Sequence, residues 1–228
     1  MATYKPRPED ILKELIPAAQ RLQRGVAGDR TTNKLEKYYN DPVGFIADLI
    51  SWPNEGGLTS YQKEMINRMM DNKRVTIRGP HSLGKTCLEA LLIIWFSLTR
   101  DAAEEDWKVI TTASAWRQLT KYLWPEVHKW ARRIKWAKVG RRPFDLKSEL
   151  TSMALKLRYG EAFAVASSVP ELIEGAHADC LFYVFDEAKM ISPETFNAAE
   201  GAFAGEGEAY GIACSTPGEP SGRFYDMH

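Results

Sequence analysis

Two groups of residues in this chain have the types and spacing that chemistry on phosphates requires. The first, Gly79-Pro80-His81-Ser82-Leu83-Gly84-Lys85-Thr86, fits the pattern G-x-x-x-x-G-K-[ST]. It stands between an apolar run, Val75-Thr76-Ile77, and a longer apolar segment, CLEALLIIWFSL, as a loop from a strand into a helix must. Its glycines let backbone N–H groups converge on phosphate oxygens, and the start of the following helix adds a favourable dipole. Lys85 then reaches the β- and γ-phosphates of a nucleotide, and Thr86 offers a hydroxyl to magnesium. The second group is Asp186-Glu187, closing the apolar run Leu181-Phe182-Tyr183-Val184-Phe185. A carboxylate at the end of a buried strand can hold the water shell of magnesium, the role expected of Asp186. The adjacent Glu187 can polarise a water for in-line attack on the γ-phosphate, which points to hydrolysis of ATP with Mg2+ rather than transfer to an organic acceptor.

Either group alone has a plainer reading, a glycine turn at a helix start or an acidic cap before the helix signalled by Ser192-Pro193-Glu194. Their joint presence in one chain favours the phosphate site. A third feature, Cys214-Ser215-Thr216-Pro217, ends another apolar run and brings small hydroxyls to the edge of the sheet where ligands sit in open α/β folds. Ser215 and Thr216 either sense the γ-phosphate or form a polar turn closed by Pro217.

The elements that must position these residues follow from periodicity. A helical pattern runs from about Pro8 to Arg24, with a kink at Pro17. Asp41-Pro42 starts a second helix over DPVGFIADLI, and a third begins at Thr59 or Ser60 and continues through YQKEMINRMM. From Lys73 onward, strands alternate with helices, which predicts a mostly parallel sheet with crossover helices. The expected strands are 74–78, 107–113, 181–186 and 209–215, with a hairpin of MALKLRY and EAFAVAS around Gly160. Helices are expected at 85–99, 115–134 and 193–203, and Gly205 and Gly207 mark a turn. The chain divides into an N-terminal helical segment, 1–57, and a nucleotide-binding core, 58–228.

Composition bounds the rest. The 228 residues are enough for one sizeable α/β domain, and 44% hydrophobic content is that of a globular protein. Lysine plus arginine and aspartate plus glutamate both total 30, so any signal for nucleic acid must be local. One exists: KWARRIKWAKVGRR, residues 129 to 142, holds seven basic residues, two tryptophans and no acid. It reads either as a track for a phosphate backbone or subunit interface, or as the solvated face of a helix with Trp130, Ile134 and Ala137 turned inward. Cys87, Cys180 and Cys214 show no metal-ligand spacing and read as reduced core residues of an intracellular protein. The N-terminus lacks a signal-peptide pattern, and the longest apolar run, Ala90 to Leu98, is too short to span a bilayer.

Four phrases, DPVGFIADL, LTSYQKEMINRMM, ELIEGAHADCLFYVFDEA and CSTPGEPSGRFYDMH, occur in that order around GPHSLGKT. Together they resemble the ATPase domain of tailed-phage terminase large subunits, from about residue 41 to the end. The resemblance implies a P-loop NTPase of the additional-strand catalytic-glutamate type, with a mostly parallel central sheet flanked by helices and an N-terminal helical segment. It implies hydrolysis of Mg-ATP coupled to translocation of double-stranded DNA into a procapsid, in the host cell cytoplasm. The implied partners are a homo-oligomeric, pentameric ring on a portal protein, a small terminase subunit and a C-terminal nuclease domain, with no membrane. Gln62 falls where the family contacts adenine, Ser215-Thr216 where it couples hydrolysis to movement, and Arg78 and His81 match the basic or polar character of its loops.

Two departures from the family stand out. Where many members carry Leu-Arg-Gly, with an arginine reaching into the neighbouring subunit's site, this chain has Ile173-Glu174-Gly175; Arg142, Arg158 and Arg223 are the remaining candidates. The chain also stops at His228, about where a nuclease domain would begin, and shows no surplus aspartates for a two-metal nuclease site. A fragment is the expected explanation. A superfamily 2 helicase-like remodeller and a nucleotide-dependent assembly module stay open as alternatives.

Overall fold

The computed structural model describes residues 34–54, 56–204 and 207–227. The helix expected over Pro8–Arg24 and the turn expected at Gly205 lie outside these residues. Seven strands, β1 (Arg74–Arg78), β2 (Trp107–Ala113), β3 (Leu150–Thr151), β4 (Ala154–Lys156), β5 (Gly160–Ala166), β6 (Cys180–Asp186) and β7 (Glu208–Ser215), form one sheet in the order β1-β7-β6-β2-β5-β4-β3. From β1 to β5 every neighbouring pair is parallel, and the expected hairpin appears as the antiparallel pairs β5–β4 and β4–β3. One strand, β7, stands between the phosphate-loop strand and the acidic strand, the arrangement that defines the additional-strand type.

The longer helices are α1 (Pro42–Leu49), α2 (Ser60–Asn72), α3 (Lys85–Ala102), α4 (Trp124–Ala131) and α5 (Pro193–Ala204). Local chemistry sets their starts. Asp41 accepts the Gly44 amide at 2.8 Å to cap α1, and Thr59 and Gln62 form a reciprocal capping box on α2. Strand residues alternate between two cores. Phe182 and Val184 join Ile212 and Cys214 in the core around α3, whereas Tyr183 and Phe185 join Ala213 and Phe196 on the α5 face. Helix α3 has no polar face, and Leu88 through Arg100 are all buried between the sheet, α1 and α4. Among the described residues, no helix is long and apolar enough to cross a membrane.

The single helix expected over 115–134 is three pieces: a turn at Trp116–Gln118, a π-helical segment at Leu119–Leu123, and α4. Pro125 has no N–H to donate to the carbonyl four residues back, so the ladder is re-registered there. The helix stops at Ala131 because the next residues pair with the segment after α1: Ser51 donates to Arg133 O and Lys135 to Leu49 O, both at 2.8 Å. This break puts Trp130 and Ile134 inside and leaves Ala137 exposed, so the inward stripe expected of one continuous helix does not form.

A buried ion pair closes the amino edge of the sheet. The Arg100 side chain is fully buried, and its guanidinium grips Glu208 with two bonds of 2.8 Å while donating to Tyr39 O at 2.7 Å. The rings of Tyr39, Phe96 and Trp95 lie 3.8, 4.6 and 4.7 Å from it. Removing one member leaves a charge in low dielectric without its partner. Because Glu208 is 18% exposed and keeps some solvent, Arg100→Met is expected to cost about 2–3 kcal/mol in denaturant unfolding; a loss under about 1 kcal/mol would remove this pair as the clamp between α3 and β7.

Candidate functional site

The phosphate loop, the two acids and the Ser215-Thr216 pair converge on the carboxyl edge of the sheet, where β1, β7 and β6 end side by side. Arg78 pairs in register with Ser215, and Cys214 with Asp186. The Gly79 amide donates to Ser215 O at 3.1 Å, tying the loop to β7 at its first residue. Ser82 and Gly84 are both left-handed, with φ of 66° and 74°. Glycine is favoured at the second, since any side chain there would be strained and its Cβ would come within 2.8 Å of Gln62 Nε2.

Helix α2 braces the loop from outside. Tyr61 donates its hydroxyl to Leu83 O at 3.1 Å, and Gln62 Nε2 donates to Gly84 O at 3.4 Å. Gln62 Oε1 meanwhile accepts the Thr59 amide at 3.0 Å, so this buried side chain caps a helix and holds the loop at once. The Lys85 ammonium lies across the cradle and donates to Gly79 O at 2.9 Å and Pro80 O at 2.8 Å. Phosphate oxygens are stronger acceptors for an ammonium than carbonyls. The residues present fit a magnesium nucleotide: Mg2+ takes one or two protein oxygens, keeps several waters and completes its shell with phosphates, and Thr86 at the start of α3 and Asp186 at the end of β6 would offer such oxygens.

The acids carry the electrostatic load. Asp186 is 6% exposed, and burial, followed by the charge of Glu187, pushes its carboxyl up to about 6; the Glu187 amide and Lys85 pull the other way. The Glu187 amide donates to Asp186 Oδ1 at 3.0 Å. Glu187 itself is left-handed, with φ 50° and ψ 47°, a conformation that costs a non-glycine residue about 1–2 kcal/mol. Its carboxylate turns toward β7, where Ser215 Oγ donates to Oε2 at 3.2 Å.

One buried acid near this site escaped the motif reading. Glu89 lies three residues after Thr86, is 0% exposed, and neither of its carboxyl oxygens meets an N–H or O–H partner. Burial, then the Asp186 charge, raises its carboxyl well above the ordinary carboxylate range, against the pull of the Cys214 thiol and Lys85. The signal was available as the single acid within CLEALLIIWFSL. Burial also raises all three free thiols, which makes them poor nucleophiles.

Other expected residues scatter. His81 is exposed on the loop, and Arg78 lies 5.8 Å from the Tyr225 ring. Arg142 is exposed and paired with Glu149, and Arg223 is paired with Glu200 at 2.9 Å. Arg158 precedes β5 and so sits at the opposite, amino edge of the sheet. In the basic segment, the tryptophans face inward: Trp130 packs on Trp52 and Trp136 on Phe144, both at 4.8 Å. Lys129 pairs with Glu126 and Arg141 with Glu149, which leaves Arg132 and Lys138 among its exposed cations.

No protein-family model matches the chain. A probable terminase large subunit of Enterobacteria phage P7 is 27% identical over 179 residues, covering 75% of this chain and 34% of that protein. The large terminase of bacteriophage HK97 shares the fold over 76% of this chain and 36% of its own, with a TM-score of 0.57 and 17% identity. The large terminase of a thermophilic bacteriophage does so over 76% of this chain and 42% of its own, with a TM-score of 0.55 and 15% identity. The chain thus spans about a third of the curated relative it matches. In sequence and in fold it resembles phage large terminases.

The Asp186 environment has a measurable consequence. An acid whose carboxyl is raised from 3.8 to about 6 by folding stabilises the protein below pH 4 and loses that contribution as pH climbs to about 6. The difference is about 3 kcal/mol. Asp186→Asn should therefore make the nucleotide-free protein more stable than wild type above pH 6, with the gap closing toward pH 4, in urea titrations across that range. Equal stability of the two proteins at pH 7.5 would contradict this account.

Proposed function

We propose that this chain is the ATP-hydrolysing part of a phage terminase large subunit, coupling Mg-ATP hydrolysis to movement of double-stranded DNA into a procapsid. The observation that carries the reading is the pairing, across one intervening strand, of a lysine-bearing phosphate cradle with two acids at one sheet edge. The similarity to phage large terminases in sequence and fold supports it.

In this reading Lys85 exchanges the two loop carbonyls for β- and γ-phosphate oxygens, and the loop amides cradle the same phosphates. Thr86 and, through water, Asp186 would hold Mg2+, which when bound neutralises charge on the phosphates. Glu187 leaves Ser215, turns to the attacking water and takes its proton. Gln62 shifts from Gly84 O toward adenine. Ser215 and Thr216, on the strand between the two halves of the site, couple hydrolysis to movement.

Arg142, Arg158 and Arg223 are the candidates to act across a subunit boundary, in a pentameric ring of copies on a portal protein. The small terminase subunit, a nuclease domain and the DNA itself complete the proposed machine. Arg132 and Lys138 are the residues of the basic segment that would meet the DNA backbone, through salt-sensitive contacts without base reading.

Glu187→Gln keeps the size and hydrogen-bonding reach of the side chain and removes the base. ATP affinity should stay within about threefold while turnover drops at least about a hundredfold. Unchanged turnover would take Glu187 out of the catalytic role, and a wild-type protein that binds no Mg-ATP would end the reading as a whole. Faster turnover on added double-stranded DNA is expected of a motor; a DNA-independent rate would favour a nucleotide-dependent assembly module.

A further inference from the structure

The turn that carries Glu187 is tied at two points to the end of β7 and the segment that follows it. One is the Ser215–Glu187 hydrogen bond. The other belongs to Lys189, whose ammonium donates to Thr216 Oγ1 at 2.7 Å and to Pro217 O at 3.4 Å. Lys189 lies two residues beyond Glu187 on the single turn Ala188–Met190, and Ala188 at its start is fully buried. Glu187 and Lys189 are therefore parts of one short, anchored unit.

The contact is built along the whole side chain. The Lys189 stem lies against Gly218, where an added Cβ would come within 3.0 Å of Cδ and 3.6 Å of Cβ. Past Gly218 the chain borders a cavity of about 370 Å3 lined by Arg78, Lys189, Glu219, Phe224 and Tyr225. It then returns to the sheet, with Phe224 buried and Tyr225 over Arg78, the residue before the phosphate loop. Residues 217–222 thus have room to shift, and both ends of the segment attach to the two halves of the site.

We propose that Lys189 is a positioning residue that transmits rearrangement at Glu187 to the loop of residues 216–222. The inference rests on the hydrolytic reading of the site. To face an attacking water, Glu187 must release Ser215, and its left-handed backbone makes it a strained point at which the turn can rearrange. Rotation there moves the turn, and the ammonium, a compact charge with three donors, pulls Thr216 and Pro217 along. The nucleotide state of the site is then expressed as the position of a surface loop.

Lys189→Met keeps the stem against Gly218 and removes the ammonium; Lys189→Arg restores a charged donor. For Lys189→Met the thermal midpoint should fall by no more than about 6 °C, the shift expected of one lost charge-assisted bond. KM for Mg-ATP should stay within about twofold and kcat should fall about tenfold, the loss expected of one charge-assisted hydrogen bond. In wild type, hydrogen exchange at amides 216–222 should change when a non-hydrolysable Mg-ATP analogue is added; in Lys189→Met it should not, and Lys189→Arg should recover most of both effects. A kcat within twofold of wild type, with exchange still responsive to nucleotide, overturns this inference alone. So does a kcat loss matched by lost fold stability and not rescued by arginine. A wild-type protein that binds no nucleotide overturns the hydrolytic reading and this inference with it.

Discussion

The whole site depends on β7 standing between β1 and β6. Two strand spacings separate the loop-bearing strand from the acidic one, roughly 10 Å. That gap is wide enough to admit a phosphate chain and a water, and in the proposed function it is narrow enough for Lys85 and Glu187 to act on the same phosphorus. Parallel pairing makes all three strands end at one edge, and the register puts Ser215 at the centre of it. Ser215 then serves both sides, its carbonyl taking the Gly79 amide and its hydroxyl reaching Glu187. A strand in this position is both the floor of the cleft and the element through which the two walls feel each other.

This arrangement works against local stability. Asp186 and Glu89 are buried acids whose charges oppose one another, and Ser82 and Glu187 hold left-handed backbones without being glycine. Such features persist where the surrounding structure over-determines them. Here the support comes from α3, buried from Leu88 to Arg100, and from the Arg100–Glu208 clamp at the far edge. The stable part of the molecule and its strained part share one helix, with Lys85 at its start and Arg100 near its end.

Much of the fold could be read from residue order. The strand and helix texture of 74–113 and 181–215 is strongly periodic, so β1 and β2 fall where expected and α3, β6 and β7 differ by one to three residues at an end. The basic segment could not be read that way. Its composition left open a surface track of cations and aromatics or a helix with Trp130, Ile134 and Ala137 inward; Trp130 and Trp136 pack on Trp52 and Phe144, and Ala137 is exposed. Which face a tryptophan takes depends on a strand-like pairing with residues 49–51, and nothing local to 129–142 reports that pairing. Arg100 and Glu208 are likewise 108 residues apart, and neither looks unusual in its own neighbourhood.

The phosphate cradle and the paired acids are matters of spelling, because a tight turn at a helix start and a carboxylate at a strand end are built from consecutive residues. The alternation of strands and helices, and with it a parallel sheet, follows from periodicity for the same reason. What consecutive residues leave open is everything that crosses the sheet: that β7 enters between β1 and β6, that Gln62 braces Gly84, that Glu89 lies in the interior with no N–H or O–H donor, and that Lys189 holds Thr216. Those depend on which surfaces bury one another, a property of the packed chain as a whole.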